Sequence, residues 1–211
     1  MPLFRLDRAG WPFVGGALLV GSALGVTGSW WLAALCGALA ACFAFFFRDP
    51  DRLTRAETDE VVSPADGRVL VAGPAARDVA PEGQWHQVSI FLSPTNVHVN
   101  RVPVSGRVTR VTYTPGRFLP AFRPEAAREN ERSEIWIDHD GQAIVARQVV
   151  GILARRVVCR LQPGAQVRTG DRYGIMKFGS RMDVFLPTKA VVRVKVGDLV
   201  RAGETIIAVL G

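Results

Sequence analysis

The chain has 211 residues, of which 48% are hydrophobic, and a formal net charge of +7. Its length suits one domain of ordinary size or two small ones. No charged residue occurs between Arg8 and Arg48, and the rest of the chain is basic and rich in Val, Ile and Leu. This division excludes both a uniformly hydrophobic protein and intrinsic disorder. The sequence consists of an apolar N-terminal segment and a water-soluble, basic body.

The apolar segment is predicted to form a helical hairpin at the cell membrane. It breaks at Thr27-Gly28-Ser29 into two arms, residues 9–27 and 29–47, each of 19 residues and long enough to span a bilayer. Arginines flank both ends, which favours a cytoplasmic location for both ends and for the body. These arginines are Arg5, Arg8, Arg48, Arg52 and Arg55. The alternative is a hairpin that dips into one leaflet, and in both cases residues 1–47 hold the body at a membrane.

Residues 48–211 are predicted to form a mainly β domain. Short alternating or continuous apolar runs are separated by turn residues, and helical periodicity survives only weakly around Glu125–Glu131. Asp138-His139-Asp140-Gly141 lies between two of these runs and indicates a hairpin. The clearest predicted strands are 67–71, 87–92, 106–111, 135–137 and 143–146.

A weak internal repeat predicts the architecture of this domain. Residues 166–171 resemble residues 194–199, and Ala202-Gly203-Glu204 follows the second copy. Val-x-x-Gly-Asp-x-Val-x-x-Gly-Glu is typical of flattened β-sandwiches of the biotinyl and lipoyl carrier type, in which glycines form tight turns. We therefore expect a flattened, barrel-sandwich-hybrid-like β-sandwich, an expectation that concerns architecture and not chemistry.

The charge and the cysteines limit the partners. A basic body beside an apolar anchor suits an anionic membrane surface. Nucleic acid is not expected as a partner, because the arginines are dispersed and form no basic block. Cys36, Cys42 and Cys159 show no metal-binding spacing, so we expect reduced thiols and no metal site. A homo-oligomer is compatible with the sequence, which carries no signal for the oligomeric state.

Four polar clusters are candidates for chemistry, although each alone has an ordinary structural interpretation. They are Ser63–Gly67 with Asp66, Ser93–Arg101 with His98, Asn130-Glu131-Arg132, and Gly174–Arg181. Alone, they are interpreted as a turn, a structural histidine, a solvated turn and a connection between strands. Met176-Lys177 also matches the Met-Lys of biotin carriers. A membrane-tethered carrier modified at Lys177 is therefore an alternative function, and a membrane-anchored adaptor without chemistry is a third.

Taken together, the clusters resemble phosphatidylserine decarboxylases, most closely the short bacterial form. The resemblance covers about residues 48–211 and depends on four segments in the family's order. These are Ser-Pro-Ala-Asp-Gly at 63–67, Leu-Ser-Pro-Thr-Asn-Val-His at 92–98, Asn-Glu-Arg at 130–132 and Lys-Phe-Gly-Ser at 177–180. It implies a membrane-bound, self-processing enzyme that converts phosphatidylserine to phosphatidylethanolamine and CO2.

The resemblance also implies the cofactor and the roles of the site residues. Ser180 would attack the Gly179 carbonyl and cut the chain there, leaving a pyruvoyl group at position 180 and two associated chains, 1–179 and 180–211. The lipid's amine would form a Schiff base with this group, which serves as the electron sink for decarboxylation. Asp66 and His98 correspond to the family's catalytic aspartate and first histidine, and a base is needed because a free hydroxyl is a poor nucleophile. His98 would also reprotonate the carbon.

Two positions depart from the pattern of longer family members. Arg101 occupies the place of the second histidine of a His-x-x-His pair, so either His98 serves both steps or Arg101 and Asp66 activate Ser180 differently. Arg181 follows Ser180 where long forms usually carry a small hydroxyl residue. Arg101 and Arg181 are candidates for pairing with the lipid phosphate or carboxylate. Asn130 and Glu131 are candidates for a supporting role.

Overall fold

A computed structural model describes residues 5–152, 157–177 and 179–211. The chain divides into two compact units, Met1–Asp51 and Arg52–Gly211. The first unit is helical and the second is mainly β. The predicted fold class, a β-rich body with an N-terminal apolar helix pair, is confirmed.

The N-terminal unit is a pair of apolar helices. A short 3-10 turn at Arg8–Gly10 leads into α1 (Trp11–Val26), and α2 (Trp30–Phe46) follows a turn at Gly28, whose φ is +84°. At Gly21 the helices approach so closely that a Cβ would lie 2.9 Å from the Cβ of Cys36, which explains the small residue there. Within the described residues, Arg8–Val26 is long and apolar enough to span a membrane, and Trp30–Phe46 is a shorter apolar helix.

The strands of the second unit are β1 (Glu60–Val62), β2 (Gly67–Pro74), β3 (Trp85–Leu92), β4 (Val99–Arg101), β5 (Gly106–Thr114), β6 (Arg132–His139), β7 (Gln142–Val149), β8 (Val157–Cys159), β9 (Gln166–Val167), β10 (Arg172–Met176), β11 (Ser180–Pro187), β12 (Val191–Val192), β13 (Leu199–Val200) and β14 (Ile206–Val209). Eight of them form an antiparallel sheet in the order β13-β2-β3-β11-β7-β6-β5-β9. Two three-stranded sheets, β1-β14-β12 and β4-β10-β8, accompany this large sheet.

The predicted strands and hairpin are present. All five predicted strands lie within longer observed ones, β2, β3, β5, β6 and β7. Asp140 and Gly141 both have positive φ, +49° and +85°, as a two-residue hairpin turn between β6 and β7 requires. The weak helical periodicity near residue 125 corresponds to one short helix, α3 (Ala126–Glu129).

The internal repeat has a structural counterpart. Val167 pairs with Gly106 at one edge of the large sheet, and Val200 pairs with Gly67 at the other edge. Strand pairing therefore equates Val167 with Val200 and Gly170 with Gly203, a spacing of 33 residues. The ranges that resemble each other in sequence, 166–171 and 194–199, are 28 residues apart.

Strand β11 lies between β3 and β7 near the middle of the large sheet. Its side chains alternate between two faces. Met182, Val184 and Leu186 belong to the hydrophobic core, which also includes Tyr173 and Met176 of β10. Ser180 belongs to this core-facing set, and the intervening residues point to the opposite face. The core-facing side chains of β11 thus pack on the side of the large sheet where β10 of the β4-β10-β8 sheet lies.

Candidate active site

Ser180, the predicted nucleophile, is buried at the first position of β11. It lies opposite Leu92 of β3, has no solvent exposure, and its Oγ has no hydrogen-bond partner among the described residues. Gly179 precedes it with a φ of +67°, a left-handed conformation that glycine adopts without steric cost. Phe178, part of the predicted motif, lies outside the described residues. The hydroxyl of Ser180 is thus buried, and none of the described residues uses its hydrogen-bonding capacity.

The carbonyl that Ser180 would attack is packed against Gly151. A Cβ at position 151 would collide with the carbonyl oxygen of Gly179, so only glycine fits there. Asn130 holds the adjoining backbone: its Nδ2 donates to the carbonyls of Leu119 and Val150, both at 2.8 Å. This arrangement gives Asn130 a positioning role at the scissile bond.

Glu131 contributes to the same support through its backbone. Its carbonyl accepts from the N–H of Val150 at 3.1 Å, and its N–H donates to the carbonyl of Arg117 at 3.0 Å. The segment Asn130-Glu131 therefore fixes the backbone immediately before Gly151. Sequence reasoning placed both residues near the site but gave no role to Gly151.

His98 is buried immediately before β4. Its Nδ1 lies 2.9 Å from the backbone carbonyl oxygen of Asn96, which orients the ring. Its own carbonyl accepts a hydrogen bond from the N–H of Met176 at 3.3 Å. Ser180 follows Met176 by four residues, so the two lie within about 14 Å of each other along the chain. The structure thus brings His98 and Ser180 to the same end of β10, without a hydrogen bond between them in the intact chain.

Asp66 occupies a different environment. Its carboxylate accepts hydrogen bonds from both terminal nitrogens of Arg52, with an Nη2–Oδ2 distance of 2.7 Å, and from the N–H of Ala202 at 2.8 Å. Both side chains of this ion pair are largely buried. Among the described residues Asp66 contacts neither His98 nor Ser180 in this way, so the implied Asp–His–Ser arrangement is not assembled in the intact chain. The sequence marked Arg52 only as a charge flanking the membrane segment.

The two arginines predicted to bind the lipid's charges are held by the protein. Arg101 donates through Nη1 to the carbonyl of Gly170 at 2.9 Å, and its N–H donates to the carbonyl of Pro64. Arg181 lies on the face of β11 opposite Ser180, where its Nε donates to Asp183 at 2.7 Å and its Nη2 to Ser89 at 2.8 Å. Both side chains are buried. These contacts give both arginines structural roles in the intact chain.

A pair of buried amides lies on the Ser180 face of the sheet. Gln148 donates from Nε2 to Oδ1 of Asn100 at 2.8 Å, and both side chains are inaccessible to solvent. The Nδ2 of Asn100 and the Oε1 of Gln148 have no hydrogen-bond partner among the described residues. Asn100 lies within a cluster that the sequence singled out, but its role was not predicted. Gln148 lies two residues beyond the predicted strand 143–146, within the longer observed strand β7, and no motif marked it.

Tyr173 is a further polar residue near this face, but its chemistry is limited by burial. Its hydroxyl donates to the sulfur of Met182 at 3.7 Å. Complete burial raises the pKa of Tyr173 well above its usual value of 10.0, because the phenolate would be desolvated. Tyr173 is therefore protonated at neutral pH and cannot be the base for Ser180.

An apolar groove opens at the predicted cleavage position. It has a volume of about 320 Å³ and a lining of Phe91, Pro94, Pro120, Ala121, Phe122, Ile152 and Gly179. Phe91 and Phe122 pack edge to face, with ring centroids 5.9 Å apart. Phe122 and Ile152 are each 58% exposed, so the groove is open to the surface, and Gly179 forms part of its lining. Its chemistry suits a hydrocarbon or glyceryl portion of a ligand.

Comparisons with known proteins agree with the motif-based resemblance. The family model described as phosphatidylserine decarboxylase matches residues 39–208. A phosphatidylserine decarboxylase proenzyme of Geobacter metallireducens is 43% identical over 207 residues, covering 95% of this chain and 94% of the relative. Proenzymes of the same name from Paramagnetospirillum magneticum and Chlorobium chlorochromatii are 43% and 50% identical, covering 97% and 77% of this chain and 87% and 76% of the relatives.

Proposed function

Because the chain belongs to the phosphatidylserine decarboxylase family, we propose that it cuts itself between Gly179 and Ser180 and then converts phosphatidylserine to phosphatidylethanolamine and CO2 at a membrane. The observation that carries this proposal is the buried, unbonded Oγ of Ser180 directly after a left-handed Gly179. An unbonded buried hydroxyl is costly in a purely structural role. It is suited to a nucleophile that is consumed during maturation.

Self-cleavage proceeds through an ester. The Oγ of Ser180 adds to the carbonyl carbon of Gly179 as its proton leaves, and the C–N bond breaks to give an ester and a free amine. Loss of the α-proton of Ser180 expels the Gly179 carboxylate and leaves a dehydroalanine. Its imine form takes up one water and releases ammonia. One water is therefore consumed and one ammonia released, and no metal or second substrate is required.

His98 is the residue best placed to accept the Ser180 proton. It is near the end of β10 that leads into the cleavage position, and the carbonyl of Asn96 orients its ring. An imidazole is the side chain that enzymes use most often as a general base. Asp66 and Arg101 support the segment around His98: Arg101 anchors β4 to Pro64, and Asp66 anchors the neighbouring turn to Arg52 and Ala202.

The surroundings of residue 180 fit a pyruvoyl group formed from it. When formed, this group supplies an electron sink for the electron pair that remains when CO2 leaves. The protein contributes a buried position at the start of β11, where bulk water is excluded. His98 is the acid that we assign to reprotonation of the product carbon. Gly151 and Asn130 keep the newly formed carboxyl end at Gly179 in place.

Two features support a lipid as the substrate. Gly179 lines the apolar groove, so a molecule with a hydrocarbon part can lie there while its headgroup approaches residue 180. The N-terminal unit exposes large apolar side chains, including Trp30 and Trp31, as expected for contact with acyl chains and the bilayer interface. We assign the body to the cytoplasmic side because arginines flank both ends of the helix pair.

The carrier alternative is not favoured. It would require Lys177 to be acylated, and it leaves the Ser180, Gly179 and Gly151 arrangement without a purpose. The relatives that match most of the chain are named as decarboxylase proenzymes and not as carriers.

The test uses the purified full-length chain in mixed micelles that contain phosphatidylserine. We expect release of CO2 and formation of phosphatidylethanolamine, and inactivation by phenylhydrazine, which reacts with ketones. Cut protein that produces no phosphatidylethanolamine would refute the substrate, and activity from an uncut chain that resists phenylhydrazine would refute the mechanism.

A further inference from the structure

The Asn100–Gln148 pair has hydrogen-bonding capacity that the described residues do not use. The two side chains are joined by one hydrogen bond of 2.8 Å, which leaves the NH2 group of Asn100 and the side-chain oxygen of Gln148 without partners among the described residues. Exchanging oxygen and nitrogen in both amides again leaves one NH2 group and one oxygen, so the conclusion does not depend on their assignment. The pair thus presents one donor group and one acceptor atom in a site from which water is excluded.

The pair lies beside the predicted reaction centre. Gln148 on β7 is directly opposite Met182 on β11, and Ser180 is the next core-facing residue along β11. Gln148 and Ser180 are therefore diagonal neighbours, about 7–8 Å apart between backbones and within reach of a long side chain. Asn100 follows His98 by two residues, and both contact β10: Asn100 is opposite Gly174, and the carbonyl of His98 accepts from the N–H of Met176. The amides therefore lie beside both residues assigned to the chemistry.

Stability alone does not account for this pair. Buried polar groups in folded proteins are normally bonded, and an unbonded one needs an explanation. Apolar residues of similar shape at positions 100 and 148 would avoid the cost of desolvating both amides. A ligand that completes the missing hydrogen bonds provides a reason for the amides.

We propose that Asn100 and Gln148 bind the α-amino-acid part of the serine headgroup, with the unused N–H donating to its carboxylate and the unused oxygen accepting from its amine. This inference rests on the proposed function. It also fits the contacts of Arg101 and Arg181, which are bonded within the protein. A neutral donor orients the carboxylate without the strong stabilisation that an arginine would give to the ground state. That difference matters because the carboxylate charge is lost as CO2 forms.

The decisive variant replaces both amides at once, Asn100→Leu with Gln148→Met in the full-length chain. Removal of both partners leaves no orphaned group, so the unfolding temperature is expected to stay the same or rise. Self-cleavage is expected to be complete. The apparent KM for phosphatidylserine in mixed micelles is expected to rise at least about tenfold, with kcat changed less than about threefold, as for lost ground-state binding.

Gln87→Met is the matched control. Gln87 is an equally buried amide in the same sheet, but it bonds Ser89 on the other face. We expect this variant to keep the wild-type KM and to lose some stability. A double variant that is cut and has a wild-type KM would overturn the inference. A double variant that unfolds or stays uncut would also overturn it, because the pair would then serve folding or processing.

Failure of this inference and failure of the proposed function give different results. If wild-type protein is neither cut nor active, the proposed function fails. If wild-type protein is cut and active and the double variant has the same KM as wild type, the amide subsite fails and the proposed function stands.

Discussion

The two faces of β11 are equally buried but treat their polar groups differently. On the outer face, Arg181 and Asp183 bond each other, and both bond Ser89. Only Oδ2 of Asp183 lacks a partner among the described residues of that cluster. On the core face, the hydroxyl of Ser180 has no partner within the described part of the chain, and each of the two amides uses only one of its two polar atoms there.

We infer from this difference that the outer-face residues serve structure and that Ser180 and the two amides serve chemistry. Burial alone does not distinguish Ser180 from Asp183, since neither side chain is exposed to solvent. The number of completed hydrogen bonds separates them, because a completed network rigidifies the protein whereas an incomplete one costs stability. We therefore expect substitutions on the core face to change processing or activity, and substitutions on the outer face to change stability.

The largest effect is expected for Ser180→Ala on the core face. The variant lacks the attacking oxygen and should remain one inactive chain on denaturing electrophoresis. The variant should fold, because the Oγ that it lacks has no hydrogen-bond partner among the described residues. Normal processing of this variant would refute the cleavage site, and an uncut chain that fails to fold would refute the contrast between the faces.

A smaller effect is expected for Gly151→Ala, which alters the support of the scissile carbonyl. The added Cβ would displace the carbonyl of Gly179, and a shift of about 1 Å at a reaction centre can lower a rate by about 100-fold. The rate of appearance of the cut chain after synthesis measures this effect. Gly37→Ala is the control, since its Cβ would enter open space, and equal processing rates for the two variants would contradict the assignment.

Breaking the Arg52–Asp66 ion pair is expected to lower the stability of the protein more than it changes self-cleavage. Asp66→Asn leaves the buried Arg52 without its counter-charge and should lower the free energy of unfolding by about 3–5 kcal/mol. Adding Arg52→Met should restore much of this loss, as followed by thermal denaturation in detergent. Should Asp66→Asn abolish processing in a protein of wild-type stability, Asp66 would have a direct catalytic role.

The smallest effect is expected on the outer face, for Ser89→Ala. The hydroxyl of Ser89 bonds Gln87, Asp183 and Arg181. Its loss should lower the free energy of unfolding by about 1–3 kcal/mol. Processing and KM should remain at wild-type values. An uncut Ser89→Ala chain would show that the outer face also takes part in the chemistry.

Much of the fold could be predicted from the sequence because its signals are local. Alternating apolar residues marked β2, β3, β5, β6 and β7, and the charge-free run marked the helix pair. The 33-residue spacing of the structural repeat could not be predicted, because it is fixed by pairing of Val167 and Val200 with distant strands. Short motifs with several glycines align in more than one way.

The site was predictable only where its residues belong to short motifs. Ser180, Gly179, His98 and Asn130 lie in such motifs, and the structure places them around one end of β10 and β11. Gly151, Gln148 and Arg52 lie outside the motifs, and their importance depends on contacts with residues far along the chain. The partners of Arg101 and Arg181 were missed for the same reason.

The central claim, self-cleavage at Ser180, is tested most directly by the intact mass of the purified wild-type protein. We expect two chains, residues 1–179 and 180–211, with the shorter one lighter by one ammonia than a simple hydrolysis product and blocked at its N-terminus. A single chain of 211 residues, or a shorter chain that begins with an unmodified serine, would contradict the account.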